Sequence, residues 1–227
     1  MQINLDIVER KIDSDIVERQ IDSDGSIEDS YRWNSKQGKL LLSKLYSSNQ
    51  SNLIPVDPNE IELVSYHLSD NLSYKTNSIV IIYNQLPEGI DNSNLRDYYG
   101  VKVDFENLKV QYKYYKNYSQ SDKSFLLNLL QPFQIQIGDE FGIGFYGDKF
   151  EDSNFYDYYF YSKEIEEIYK LFDFKEPEES KKYHNINLAL FGLTLDKNLK
   201  PVKLKRYIYP NDIRLENRNQ IYGILDS

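Results

Sequence analysis

Between Lys200 and Pro210 the chain reads KPVKLKRYIYP. Successive side chains of a strand point to opposite faces, so Lys203, Lys205, Tyr207 and Tyr209 share one face while Val202, Leu204, Arg206 and Ile208 share the other. The same division recurs upstream. In LKVQYKYYKNY, Lys109, Gln111, Lys113 and Tyr115 fall together, opposite Val110, Tyr112 and Tyr114. In NFYDYYFY, Asp157, Tyr159 and Tyr161 fall opposite Tyr156, Tyr158 and Phe160, and in SIEDSYRWN, Glu28, Ser30 and Arg32 fall opposite Ile27, Tyr31 and Trp33.

If the apolar sides meet helices, the polar sides line a lumen. Converging lysines suit a diphosphate, because they neutralise charge that grows on its oxygens as it leaves. Tyrosine faces suit a carbocation, which they attract through the ring and shield from water. A single glutamate suits a general base that takes a proton from an attacking acceptor. For any one strand, a solvated face with snorkelling lysine stems is the plainer reading. Recurrence over several strands reduces its weight without removing it.

The elements that would position these residues begin after Gly25. SIEDSYRWN alternates as a strand, with KLLLSKLY as its partner strand. DPNEIELVSYHL has helical spacing at Ile61, Val64 and Leu68. NSIVIIYNQ and LKVQYKYYKNY read as strands, and SDKSFLLNLL as a short helix with a serine cap. EFGIGFYGD and NFYDYYFYS are strands, followed by a helix in SKEIEEIYKLF with Ser162 as its cap and Ile165, Ile168, Leu171 and Phe172 on one face. NINLALFGLTL and VKLKRYIY pair through the turn DKNLK. Strand, strand, helix in repetition is not the alternation of a parallel sheet. It predicts an α+β fold, an antiparallel β-barrel with helices outside.

The segment before Gly25 carries a nine-residue duplication, DIVERKIDS followed by DIVERQIDS, from Asp6 to Ser23. Its period matches no familiar solenoid, so residues 1–24 are expected to form a dispensable extension and residues 25–227 the barrel domain. The 227 residues suffice for one domain with a sizeable core. A net charge of −9 and a pI near 4.9 argue against nucleic acid as the partner. Without cysteine there is neither a disulfide framework nor a thiolate metal site, and His67 and His184 stand far apart, so no side-chain metal centre is expected. No apolar run approaches a membrane span and no signal peptide opens the chain, which makes the cytoplasm the simplest location. The 21 tyrosines are the strongest anomaly of composition, one that an AT-rich genome would partly explain.

SIEDS followed by LLLSKLY, then SIVIIYNQL, GVKVDFENLKVQYKYYKNY, FGIGFYGD and LFGLTLDKNLKPVKL, is an order of segments that resembles the cyanobactin-type peptide prenyltransferases. These belong to the ABBA class of barrels. The resemblance spans roughly Gly25 to Asp212 and rests on collinearity, since each piece is short. It implies a short or truncated member that transfers a dimethylallyl or geranyl group from its diphosphate, with Mg2+ carried on the diphosphate, to a side chain of a ribosomally made, often macrocyclic peptide. Glu28 falls on the catalytic glutamate. Lys44 falls on a basic residue of the next strand, and Lys109 and Lys113 fall on the diphosphate-binding strand. Lys205 joins that set by its strand face alone, and Tyr115, Tyr159 and Tyr207 are expected to shield the cation. Gln111 departs from the family, which has a more basic residue there. The chain ends soon after KRYIYP, so an incomplete barrel is expected. The alternative, from a different class, is a non-catalytic peptide-binding or immunity-type protein that uses an acidic, tyrosine-rich surface.

Overall fold

A computed structural model describes residues 16–46, 61–68, 76–87, 90, 93–104, 109–131, 133–138, 142–147, 149–185 and 188–209, with the side chains of 44–46, 66–68 and 76–77 outside the description. The strands are β1 Ile16–Asp22, β2 Ile27–Arg32, β3 Ile61–Leu68, β4 Thr76–Tyr83, β5 Leu95–Asp104, β6 Lys109–Asn117, β7 Ile135–Gln136, β8 Gly142–Tyr146, β9 Phe155–Ser162, β10 Ala189–Asp196 and β11 Pro201–Ile208. The helices are α1 Lys36–Tyr46, α2 Gln120–Leu129, α3 Ile165–Leu171 and α4 Glu178–Lys181.

Every pairing is antiparallel, and ten of the strands run in a ring from β1 through β6 to β8, β9, β10 and β11. The ring closes because β9 pairs β10 along its whole length, from Phe155 opposite Asp196 to Ser162 opposite Ala189. The short β7 extends the β8 edge of β9, pairing at Tyr161 and Ser162. Closure removes the sheet edges that would otherwise recruit other chains. The expected incompleteness is therefore not seen. Helices follow β2, β6 and β9, but among the described residues none separates β4 from β5, so the strand-strand-helix repeat is not complete.

One face of the ring is apolar and covered by helices. Leu41 and Leu42 of α1 pack with Tyr31, Val64, Ile79, Ile81, Val101 and Val103. Leu126 of α2 and Ile165, Ile168 and Tyr169 of α3 pack with Ile143, Phe160, Phe191, Leu193 and Leu204. The other face is concave. Glu18 on β1 and Lys113 on β6 stand five strands apart in either direction round the ring, yet each lies within the other's electrostatic reach. Only side chains that point into a common interior can do that. The predicted division of faces thus becomes inside and outside.

Four local expectations need correction. KLLLSKLY is not a strand but lies within α1, where the Gly38 N–H donates to Ser35 Oγ at 3.0 Å. Its leucines and lysines are strong helix formers and no β-branched residue opposes them. IELVSYHL is not a helix but β3, paired on both sides by β2 and β4. A register shift between Ile61 and Leu63 turns Ile61 and Val64 to the same outer side, and this bulge is what mimics helical spacing. Ser162 ends β9 and accepts from the Glu164 N–H at 3.1 Å, while Glu164 itself occupies the cap position of α3. Finally, the boundary at Gly25 cuts through the barrel. The second copy of the duplication forms β1, which joins β11 to β2 and so belongs to the ring, whereas the first copy, Asp6–Ser14, lies outside the described residues. No helix among the described residues is long and apolar enough to cross a membrane.

Candidate functional site

The lumen is organised around Asp157, an isolated carboxylate in the aromatic strand β9. Its side chain is 0 % exposed. Thr194 of β10 donates to Oδ1, and Lys113 of β6 and Lys205 of β11 both donate to Oδ2, the latter at 2.7 Å. The two lysines come from strands that flank β9 at one remove on either side, β6 beyond β8 and β11 beyond β10. A glycine on β8 lets Lys113 cross, and one on β10 makes room for the tyrosine rings. A Cβ on Gly144 of β8 would stand 2.6 Å from Lys113 Cε, and one on Gly192 of β10 would meet Tyr207 and Tyr159 ring carbons at 3.2 and 3.3 Å.

Burial works against the charge of Asp157, but Lys113 and Lys205 outweigh it and hold the carboxyl well below the usual carboxylate range. Burial likewise opposes the charge of Lys113. Asp157, with the tyrosines around it, more than offsets that effect and raises the ammonium above its ordinary value. Lys113 Nζ also donates to the Tyr159 hydroxyl at 2.9 Å. It lies 5.2, 5.5 and 5.6 Å from the ring centres of Tyr115, Tyr146 and Tyr159, so three aromatic faces already receive a cation. Tyr207 tilts against Tyr159 at 5.9 Å, and Tyr98 of β5 against Tyr115 at 4.7 Å. Burial pushes the phenols of Tyr115, Tyr159 and Tyr207 up, and they remain protonated donors.

A second group of acids lies on the wall formed by β1 and β2. Glu18 pairs in register with Ser30, and Gln20 with Glu28, which sets Glu18 and Glu28 diagonally on one inward face. Burial, then the neighbouring Glu28, raise the Glu18 carboxyl to about 7, although the Tyr209 hydroxyl hydrogen-bonds it and Lys113 faces it from across the barrel. Toward one end of the barrel, Lys203 bridges Asp22 at 2.8 Å and Asp24 at 3.2 Å.

Of the residues singled out in the sequence, Lys113, Lys205, Tyr115, Tyr159 and Tyr207 meet in one space, and Glu28 lines the same lumen. Two do not join them. Lys44 sits in α1, which packs on the outside of β2 and β3, and not on the next strand where the resemblance puts it; its own side chain lies outside the description. Lys109 is exposed at the start of β6. It stands four residues from Lys113 on the same strand, about 13 Å along the strand at the backbone. The sequence reading assigned no role to Asp157 or Glu18. A lone acid inside FYDYYFY was a usable signal for the first. For the second there is none, because its strand lies in the duplicated segment, whose sequence reads as an extension.

Among the described residues, no group of three or more His, Asp or Glu side chains is arranged to hold a metal ion. No family model matches the chain, and no curated protein matches it either.

Proposed function

We propose that the barrel lumen binds a prenyl diphosphate and transfers its dimethylallyl or geranyl group to a side chain of a peptide. The observation that carries this reading is the closed antiparallel ring with helices outside, whose interior gathers two ammonium groups, a cluster of tyrosine rings and a pair of carboxylates. Lys113 and Lys205 donate to the diphosphate oxygens. The allylic C–O bond breaks, its electron pair leaves with the diphosphate, and the rings of Tyr115, Tyr159 and Tyr207 exclude water from the cation. The acceptor atom bonds to the cationic carbon, and its proton passes to the carboxylates of the opposite wall, which include Glu28. Asp157 holds both ammonium groups in place before the ligand arrives. Magnesium, where present, would help neutralise the charge that develops on the departing diphosphate.

One observation favours the second reading, a non-catalytic barrel that binds peptide. Both lysines already share Asp157, and Lys113 already lies over the faces of three tyrosine rings, so both cations have partners within the protein. Against it, Tyr115, Tyr159 and Tyr207 point inward and form no external patch. Incubation with dimethylallyl or geranyl diphosphate, magnesium and a panel of peptides, followed by mass spectrometry, separates the two. A prenylated peptide supports the transferase. Peptide binding without diphosphate binding, measured by calorimetry, supports the second reading and removes the first.

A further inference from the structure

Glu18 and Glu28 stand diagonally on adjacent strands of the lumen wall, with one inward-facing register pair, Gln20 opposite Glu28, and the next, Glu18 opposite Ser30. Diagonal neighbours of this kind are about 7–8 Å apart at the backbone, within reach of each other for two glutamate side chains. The hydroxyl of Ser30 is already engaged with Ser65 at 2.8 Å, and Gln20 donates to Asp22 at 2.6 Å. Among the described residues, the groups that face Glu18 include Glu28 from β2, Tyr207 from β11, Tyr209 just beyond the end of β11, and Lys113 from the far wall on β6. Glu28 is flanked in register by Gln20 and by His67 of β3, whose side chain lies outside the description.

We propose that Glu18 and Glu28 act together as one proton-holding site, in which Glu18 keeps the proton that the acceptor gives up. Two carboxylates confined in one wall cannot both ionise as easily as either alone. The pair carries a single negative charge when loaded and two when empty. In the empty form it takes the proton from the acceptor atom as that atom bonds to the prenyl carbon. The proton then rests on Glu18 until water removes it. Burial together with Glu28 brings the Glu18 carboxyl to about 7, the range in which a general base is most effective at neutral pH. This assignment rests on the transferase reading for its substrate, but the shared proton does not.

The test therefore has two arms. Full-length protein carrying glutamate labelled with 13C at the side-chain carboxyl is titrated by NMR from pH 4 to 9, with the Glu18 signal assigned through Glu18→Gln. The expected result is a midpoint near pH 7 for Glu18 that moves toward the ordinary glutamate range in Glu28→Gln. A wild-type midpoint near 4.5 overturns the proposal, as does one near 7 that Glu28→Gln leaves in place. In the second arm, the transfer rate of the wild type rises through a limb near pH 7, and Glu18→Gln lacks that limb. A limb unchanged in Glu18→Gln removes Glu18 from proton transfer. Should no transfer be detected while the NMR midpoint and its Glu28 dependence stand, the shared proton survives and only the transferase reading fails.

Discussion

Asp157→Asn is the sharpest perturbation available. The wild-type carboxylate is fully buried and accepts from Thr194, Lys113 and Lys205 together. Asparagine keeps the shape, but it leaves two ammonium groups converging on a neutral amide that can no longer balance them. Removing one partner of a buried ion pair typically destabilises by about 3–5 kcal/mol. The side chains of Lys113 and Lys205 are only 14 % and 9 % exposed, so solvent relieves little of this. For a domain of this size each kcal/mol moves the melting temperature by roughly 2–4 °C. A drop of about 6–20 °C is expected, read by circular dichroism at pH 7. The sign with pH is fixed as well. The folded Asp157 carboxyl lies below its unfolded value, so its stabilisation is complete above about pH 4 and fades as acid protonates it. The gap between wild type and variant must close in that direction. Adding Lys205→Met to Asp157→Asn removes one stranded cation and should restore part of the loss. A single variant that melts within about 2 °C of wild type, or a double variant that melts no higher than the single, would refute the account of the lumen as a network balanced on Asp157.

Glu18→Gln should behave in the opposite sense with pH. Its folded carboxyl is raised to about 7, so ionising it opposes folding, and the variant should be more stable than wild type at pH 8 by up to about 3 kcal/mol. The two should converge at pH 4, which urea titrations at both pH values would check. Gly144→Ala places a methyl group against the Lys113 stem, which is tied at its tip to Asp157, and should destabilise by about 1–3 kcal/mol; a neutral effect on the melt would show that the two chains pass less closely. Deleting residues 1–14 should leave the melt nearly unchanged, whereas deleting residues 1–23 removes β1 and opens the ring between β11 and β2, abolishing cooperative unfolding. Deleting only Asp15–Ser23 brings the first copy up to the Asp24 turn with Lys11 in place of Gln20, and this chain should fold, because every other residue of the strand is the same; an unfolded product would show that Gln20 itself is required.

The division of each strand into a polar and an apolar face was legible in the sequence, because side-chain alternation is a local property that needs no partner. From that alone came the lumen-facing set of Lys113, Tyr115, Tyr159, Lys205 and Tyr207, while the antiparallel class of the fold came from the order of strands and helices along the chain. Tertiary structure decided the rest. That the polar faces are concave depends on ring closure by β9 with β10, a pairing no single segment encodes. Ile61 and Val64 share a side only because a bulge against β4 shifts the register, so their spacing reads as helical until the partner strand is known. The duplicated segment looked detachable because it is acidic and repetitive, yet its second copy is held by β11, whose paired residues stand near the other end of the chain. Sequence alone shows no counter-charge for the lysines, because Asp157 lies on another strand, which Lys113 reaches across Gly144. A charge is assigned its role by what stands opposite it in space, and for a closed barrel that neighbour is set by the pairing of distant strands.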